Sequence, residues 1–320
     1  MKRLLHILPL ALSVLAVSCA PKQQEEDFAA QPFPQLKIPA MMNSLEDRVY
    51  YVVDNYWTEF TDTSRHLPCR DTTLVSGVEA AEVTQAVANY VTIIGGLPLE
   101  KVRPAMERLA DRICLCEQAD TSSNVLEYLS KTIEFYLWDP NSPFRDEDIY
   151  GAFAGRLAHS DVVPEAKRAV YLQDARNCSL NSRGTKAADF RFTTREGRSF
   201  SLYGIKAEHT ILFFSNPGCT ACKDIINTLD SDPVIKEKIA SGELAVLNIY
   251  IDEQLKEWYE YMPIYPKSWY NGYDPDGLIR SDDLYNVRAI PSLYFLDKDK
   301  KVLLKDAPIE KLMNNLPWQK

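Results

Sequence analysis

Two hydrophobic periodicities divide the chain. From about Ser44 to Asn177 the apolar positions recur at helical spacing. Leu45, Val49, Val52, Val53, Tyr56, Trp57 and Phe60 share one face of a first helix, opened by Ser44 with Asp47 three residues on, close to a capping box. The pattern predicts a second helix over residues 78–94, stopped by Gly95-Gly96, and a third that opens at Leu97-Pro98 and runs through Val102, Met106, Leu109 and Ile113. Further helices are predicted over 124–137, 147–157 and 164–176. Between two of them, Asp139-Pro140-Asn141-Ser142-Pro143-Phe144-Arg145 reads as a rigid turn, because two prolines with Asn and Ser set turn conformations.

Beyond Gly184 the period becomes two. Phe190-Arg191-Phe192-Thr193 alternates, Glu196-Gly197 turns, and Phe200-Ser201-Leu202 alternates again, which predicts a hairpin. Thr210-Ile211-Leu212-Phe213-Phe214 is a continuous apolar run, as in a strand buried on both faces. A helix is predicted over 219–229, buried strands over 244–251 and 292–296, a charged turn at 297–301 leading into Val302-Leu303-Leu304, and a last helix over 309–316. Strand, helix, strand, hairpin and helix is an α/β layer arrangement.

At 320 residues the chain is long enough for two domains, each with its own core. Hydrophobic residues make up 46% and charged residues 25%, which is ordinary globular usage. A formal charge of −9 and the lack of any basic run argue against a nucleic-acid partner. Lys2 and Arg3 precede an apolar run from Leu4 to Val17 that holds Pro9 and is too short to span a membrane. Its end, Leu15-Ala16-Val17-Ser18-Cys19, resembles a bacterial lipobox, with Ala16 where a larger aliphatic residue is usual. That resemblance implies a signal peptide over 1–18 and lipidation of Cys19; a soluble secreted protein cut near the same place is the alternative. Residues 19–36 then read as a flexible tether, with Glu25, Glu26 and Asp27 in an acidic stretch like the surface-export signal of some outer-membrane lipoproteins. Either destination is outside the cytosol, where disulfides persist.

The chemistry concentrates at Asn216-Pro217-Gly218-Cys219-Thr220-Ala221-Cys222, where a buried strand hands over to a helix. Two cysteines three apart at a helix start close a small disulfide, and the unpaired N–H groups and dipole there favour the thiolate of the first. A thiolate attacks disulfides and a neighbouring thiol resolves the mixed product. Cys219 is therefore the candidate nucleophile and Cys222 the candidate resolving thiol. Zinc is disfavoured because no second C-x-x-C or close His pair exists, and haem attachment because position 223 is Lys. A peroxiredoxin-type site fails as well, since Asn216 and Leu212 stand where Thr or Ser and Pro are needed. An inert structural disulfide stays open.

Val287-Arg288-Ala289-Ile290-Pro291-Ser292 adds a proline after a β-branched residue at the start of a buried strand, a candidate cis-proline. With the C-x-x-C, these residues make the stretch 181–320 resemble the thioredoxin superfamily, in particular TlpA-like thiol–disulfide oxidoreductases of the bacterial envelope. Residues 37–180, through Tyr136-Leu137-Trp138-Asp139 and on to Arg145, resemble a helical domain of unknown function that precedes such domains in bacterial lipoproteins. The resemblance implies an α/β thioredoxin-like C-terminal domain, a central mixed sheet flanked by helices, behind an all-α N-terminal domain. It also implies that Pro291 faces the cysteines and that the Ile290 backbone pairs with a substrate strand. The expected activity is exchange of disulfides in envelope protein substrates, reductase or isomerase rather than oxidant. No cofactor or metal is needed, an upstream electron donor recycles the pair, and the membrane is reached through the lipid on Cys19. The rival expectation is a non-enzymatic binding lipoprotein, its thioredoxin fold a scaffold with a structural disulfide.

Three departures from the family stand out. Thr220 and Ala221 replace the usual residues between the cysteines, no Trp precedes Cys219, and Phe213 occupies the position of thioredoxin's buried acid. Asp252 and Glu253 end a strand, where capping is the first reading and a proton acceptor for Cys222 the second. The aromatic segment holding Trp258, Tyr259, Tyr261, Tyr265, Trp269, Tyr270 and Tyr273 packs over the sheet or the helical domain on one reading, and walls a peptide groove on the other. Cys114 and Cys116 point to different faces of one helix, and Cys69 has either within its choice of partners; the pairing of these and Cys178 stays open.

Overall fold

The structure, a computed structural model, describes residues 29–64 and 73–318. The predicted signal peptide, Cys19 and Cys69 lie outside the described residues. The first helix, α1 (Leu45–Asn55), is capped as predicted, with the Ser44 hydroxyl accepting from the Asp47 N–H at 2.9 Å. A short antiparallel hairpin, β1 (Leu74–Val75) and β2 (Val78–Glu79), leads into α2 (Ala80–Ile94). The helix predicted from 78 thus starts two residues later, because Val78 and Glu79 are paired to Val75 and Leu74. Then come α3 (Leu99–Ala119), α4 (Val125–Leu137), α5 (Glu147–Leu157) and α6 (Glu165–Ser179). Their apolar faces meet in one core that includes Trp57, Tyr90, Met106, Ile113, Leu129 and Phe153. Gly151 lets α6 come close to α5: a Cβ there would lie 2.6 Å from the Cys178 Cβ.

The second half forms a seven-stranded mixed sheet from β3 (Arg191–Thr194), β4 (Ser199–Ser201), β5 (His209–Phe214), β6 (Leu244–Tyr250), β7 (Tyr270–Tyr273), β8 (Ser292–Asp297) and β9 (Val302–Leu304). The order across the sheet is β4-β3-β7-β6-β5-β8-β9, with β5, β6 and β7 parallel and the other pairings antiparallel. Helices α7 (Thr220–Ser231), α8 (Pro233–Ser241), α9 (Leu255–Tyr261), α10 (Leu278–Ser281) and α11 (Ile309–Asn314) complete this half. Alternate residues of the central strands feed two cores. Ile211, Phe213 and Val246 join Cys222 and Trp258 on one face; Leu212, Phe214 and Leu247 join Tyr285 and Tyr294 on the other. Strand β7 escapes the sequence pattern because its centre is Asn271-Gly272; Gly272 is required there, since a Cβ would meet the Phe192 ring at 2.6 Å.

Charged groups, not an apolar seam alone, join the two halves. Asp146, Glu147 and Asp148 at the start of α5 are buried, and each meets a cation. Asp146 pairs with Arg183 and Lys311, and Asp148 with Arg183 and Arg103. Glu147 pairs with Lys305 at 2.8 Å and Arg288 at 3.0 Å. Arg145, within the predicted rigid turn, reaches across to Asp306, its Nε donating to that residue's carbonyl at 2.8 Å. The turn is therefore also a contact between the two halves. Taking so many charges from water is costly unless every one is answered, so removal of one member should be felt.

Asp306 shows the balance. Burial raises its carboxyl to about 6, against the pull of Arg145 and Arg288. The folded state then holds that proton more tightly than the unfolded chain does, so this group favours folding most below about pH 4 and the contribution is lost as pH rises through about 6. Comparing denaturant unfolding of the wild type with Asp306→Asn across this window, the wild type should lose about 3 kcal/mol relative to the variant. A difference that does not change with pH would contradict the assignment.

Candidate functional site

Strand β5 ends at Phe214, and six residues later, at Thr220, the chain enters α7. Gly218 makes this turn with φ +74°, a left-handed conformation that suits glycine. Cys219 is the N-cap of α7, in extended conformation, so its sulfur sits over the free N–H groups of the first turn. The Cys222 N–H donates to the Cys219 sulfur at 3.1 Å. Both cysteines are in the thiol form. They differ sharply in setting: Cys219 is half-buried, whereas Cys222 is 1% exposed within the core under α7. Burial, then the neighbouring Cys219 sulfur, push the Cys222 thiol up to about 12.

Asp252, just past β6, clamps the turn from the side. One carboxylate oxygen accepts from the Asn216 side-chain amide at 2.6 Å, and the other pairs with Arg280 at 2.8 Å. The carboxylate is thus committed to the loop before the cysteines, and neither hydrogen bond directs it to Cys222. Beside it, Asn216, Pro217, Tyr250, Asp252, Gln254 and Arg280 line an open cleft of about 900 Å³. At the position of thioredoxin's acid, Phe213 is fully buried. The buried polar groups on its face of the sheet are neutral: the Ser215 hydroxyl donates to Asn248, whose amide donates to Asn271 at 3.1 Å. No periodic trace marks this set, since Asn248 and Asn271 interrupt strand patterns.

The Ile290–Pro291 peptide bond is cis, immediately before β8. Ile290 and Cys219 pack against the same core that holds Cys222. No hydrogen bond among the described residues takes up the Ile290 N–H or carbonyl, so both remain available to an incoming chain. Of the aromatic segment, Trp258, Tyr265 and Trp269 are buried in that core and Tyr261 packs against it; Tyr259 is the more exposed ring. The segment packs over the sheet, as the plainer reading had it. Cys114, Cys116 and Cys178 are free and buried thiols.

The chain belongs to the thioredoxin-like proteins that carry a helical domain of unknown function ahead of the thioredoxin fold. A family model described as a domain of unknown function (DUF5106) matches residues 16–179. A crystal structure of a thioredoxin-like protein from Bacteroides caccae is 33% identical over 89% of this chain and 97% of its own, with a TM-score of 0.76. The C-terminal domain of an uncharacterized protein from Bacteroides fragilis is 47% identical over 42% of this chain and 96% of its own, with a TM-score of 0.41. The thioredoxin domain of a thiol-disulfide oxidoreductase from Bacteroides vulgatus is 18% identical over 42% and 94%, with a TM-score of 0.37. No curated protein matches the chain.

The buried thiol yields a direct check. In a Cys219→Ser variant, which removes the neighbouring sulfur but keeps the burial that is the larger cause of the raised pKa, the rate at which a small alkylating reagent labels Cys222 should still climb about tenfold per pH unit beyond about pH 9. A plateau at about pH 8 to 9, the range of a free thiol, would contradict this.

Proposed function

We propose that the protein is an envelope thiol–disulfide oxidoreductase working on protein substrates, in the reductase or isomerase direction. The observation that carries the reading is the asymmetric pair: an accessible Cys219 sulfur accepting an N–H at 3.1 Å, with Cys222 buried directly behind it. The Cys219 thiolate attacks one sulfur of a substrate disulfide. A Cys219–substrate disulfide forms, and the other substrate sulfur leaves as a thiolate. The Cys222 thiol then gives up its proton, which the departing substrate sulfur takes, and attacks the Cys219 sulfur. The Cys219–Cys222 disulfide forms, two electrons have passed to the substrate, and a dithiol donor upstream must return them.

A substrate strand laid along the free N–H and carbonyl of Ile290, next to Pro291, supplies main-chain binding without demanding one sequence. With Phe213 in place of an acid and Asp252 held by Asn216 and Arg280, no carboxylate is directed at Cys222 among the described residues. The resolving step therefore depends on the proton affinity of the leaving thiolate, which suits substrates whose cysteines are ordinary thiols. Lipidation at Cys19 belongs to the same reading: it would hold the site at a membrane surface, in an oxidising compartment.

Cys222→Ala tests the assignment. With resolution blocked, the variant should accumulate Cys219-linked mixed disulfides with envelope proteins, visible as reductant-sensitive bands on a non-reducing gel, and Cys219→Ala should accumulate none. A folded Cys222→Ala protein that traps nothing would point instead to the scaffold with a structural disulfide.

A further inference from the structure

The backbone N–H groups of Arg288, Ala289 and Ile290 make no hydrogen bond among the described residues. The loop that would meet substrate therefore has little internal fastening. Its side chains are fastened elsewhere. The Arg288 Nε lies 3.0 Å from the Glu147 Oε1, and the same oxygen accepts from the Asn286 amide at 2.9 Å. A terminal nitrogen of Arg288 donates to the Trp138 carbonyl, and the guanidinium lies over the Trp138 ring, 3.7 Å from its centroid. Trp138 in turn stacks on Tyr150 of α5, ring centroids 4.9 Å apart. Glu147, Trp138 and Tyr150 all belong to the helical domain.

The carboxylate that receives these bonds is itself fixed. Its other oxygen lies 2.8 Å from the Lys305 ammonium, which also donates to the carbonyls of Cys178 and Leu180 at 2.7 and 2.6 Å. Glu147 and Lys305 are each 1% exposed. A charge pair held this way has no room to follow the loop; the loop must follow it.

We propose that the helical domain acts as the positioning element of the substrate-facing loop, with Arg288 as the strap and Glu147 and Trp138 as its anchors. This rests on the oxidoreductase reading for the word substrate, and on the contacts alone for the positioning. A strapped loop presents the Ile290 N–H and carbonyl in one orientation, so an extended chain does not first have to order it. The effect falls on the binding of extended protein or peptide substrates. The thiol chemistry of Cys219 and Cys222, which lies on α7, is left as it is. Arg288 and Glu147 are positioning residues rather than catalytic ones.

The test uses the full chain and two readouts. In Arg288→Ala, the backbone amide order parameters of residues 288–290 should fall from about 0.85 to below about 0.6, with those of β8 unchanged. The KM for a disulfide-bonded peptide should rise about tenfold, while kcat and the rate with a small aromatic disulfide stay within about twofold. Arg288→Lys keeps the charge opposite Glu147 but loses the planar stack on Trp138, and should fall between wild type and Ala in both readouts. Unchanged order parameters in a folded Arg288→Ala protein overturn the proposal, as does an equal loss with the small disulfide. If Arg288→Ala does not fold, Arg288→Lys and Trp138→Phe decide by the same readouts. A wild type that exchanges no disulfides ends the oxidoreductase reading, while the order parameters still decide whether the helical domain holds the loop.

Discussion

Glu147 stands in the first turn of α5 with 1% of its side chain exposed, and cations reach it from two parts of the thioredoxin-like half. Lys305, just after β9, and Arg288, in the loop before β8, converge on it. An isolated buried carboxylate would be costly, and so would either cation alone; together they are tolerable only in one relative placement of the two halves. The flanking pairs of Asp146 and Asp148 with Arg183, and of Arg145 with Asp306, obey the same constraint. Apolar faces tolerate sliding, whereas a set of answered charges does not. The architecture is thus two separately packed halves joined through a polar junction, and the junction includes the loop that carries Ile290 and Pro291.

The cysteine pair depends on a second contrast, between surface and interior. Cys219 caps α7 at the rim of the sheet, and its sulfur takes the Cys222 N–H. Cys222 lies one turn on, within the core formed by Phe213, Trp258 and Tyr265. Dithiol exchange needs that difference: one sulfur able to meet a foreign disulfide, the other shielded until a mixed disulfide puts a target beside it. Clamping of Asn216 by Asp252, itself paired with Arg280, holds the turn between β5 and α7 in place. The aromatic segment contributes through packing, since Trp258 and Tyr265 share a core with Cys222.

What could be read from the sequence follows from which interactions leave a periodic trace. Strand β5 was legible because Ile211 to Phe214 is buried on both faces and reads as an unbroken apolar run; α1 was legible down to its Ser44 cap. Strand β7 was not, because Asn271 serves a buried polar set and Gly272 makes room for Phe192. The C-x-x-C and the Ile290-Pro291 pair were found from their chemistry and their placement before buried strands. Arg288 lay in view between them without a partner to suggest, since Glu147 is 141 residues away and an ion pair has no spacing rule. The Asp139–Arg145 turn was recognised for its prolines, while its reach to Asp306 depends on a fold that places residues 161 apart side by side.

The redox behaviour of the Cys219–Cys222 pair in the folded protein tests the proposed oxidoreductase most directly, measured by equilibrating it with thiol–disulfide buffers and quantifying the oxidised fraction. A reversible two-electron transition is predicted between about −180 and −270 mV, the span from isomerases to thioredoxin. A pair that stays oxidised under strong reductant, with Cys219 unreactive, would contradict the account. A transition near about −120 mV would make the site an oxidant and overturn the assigned direction of electron flow.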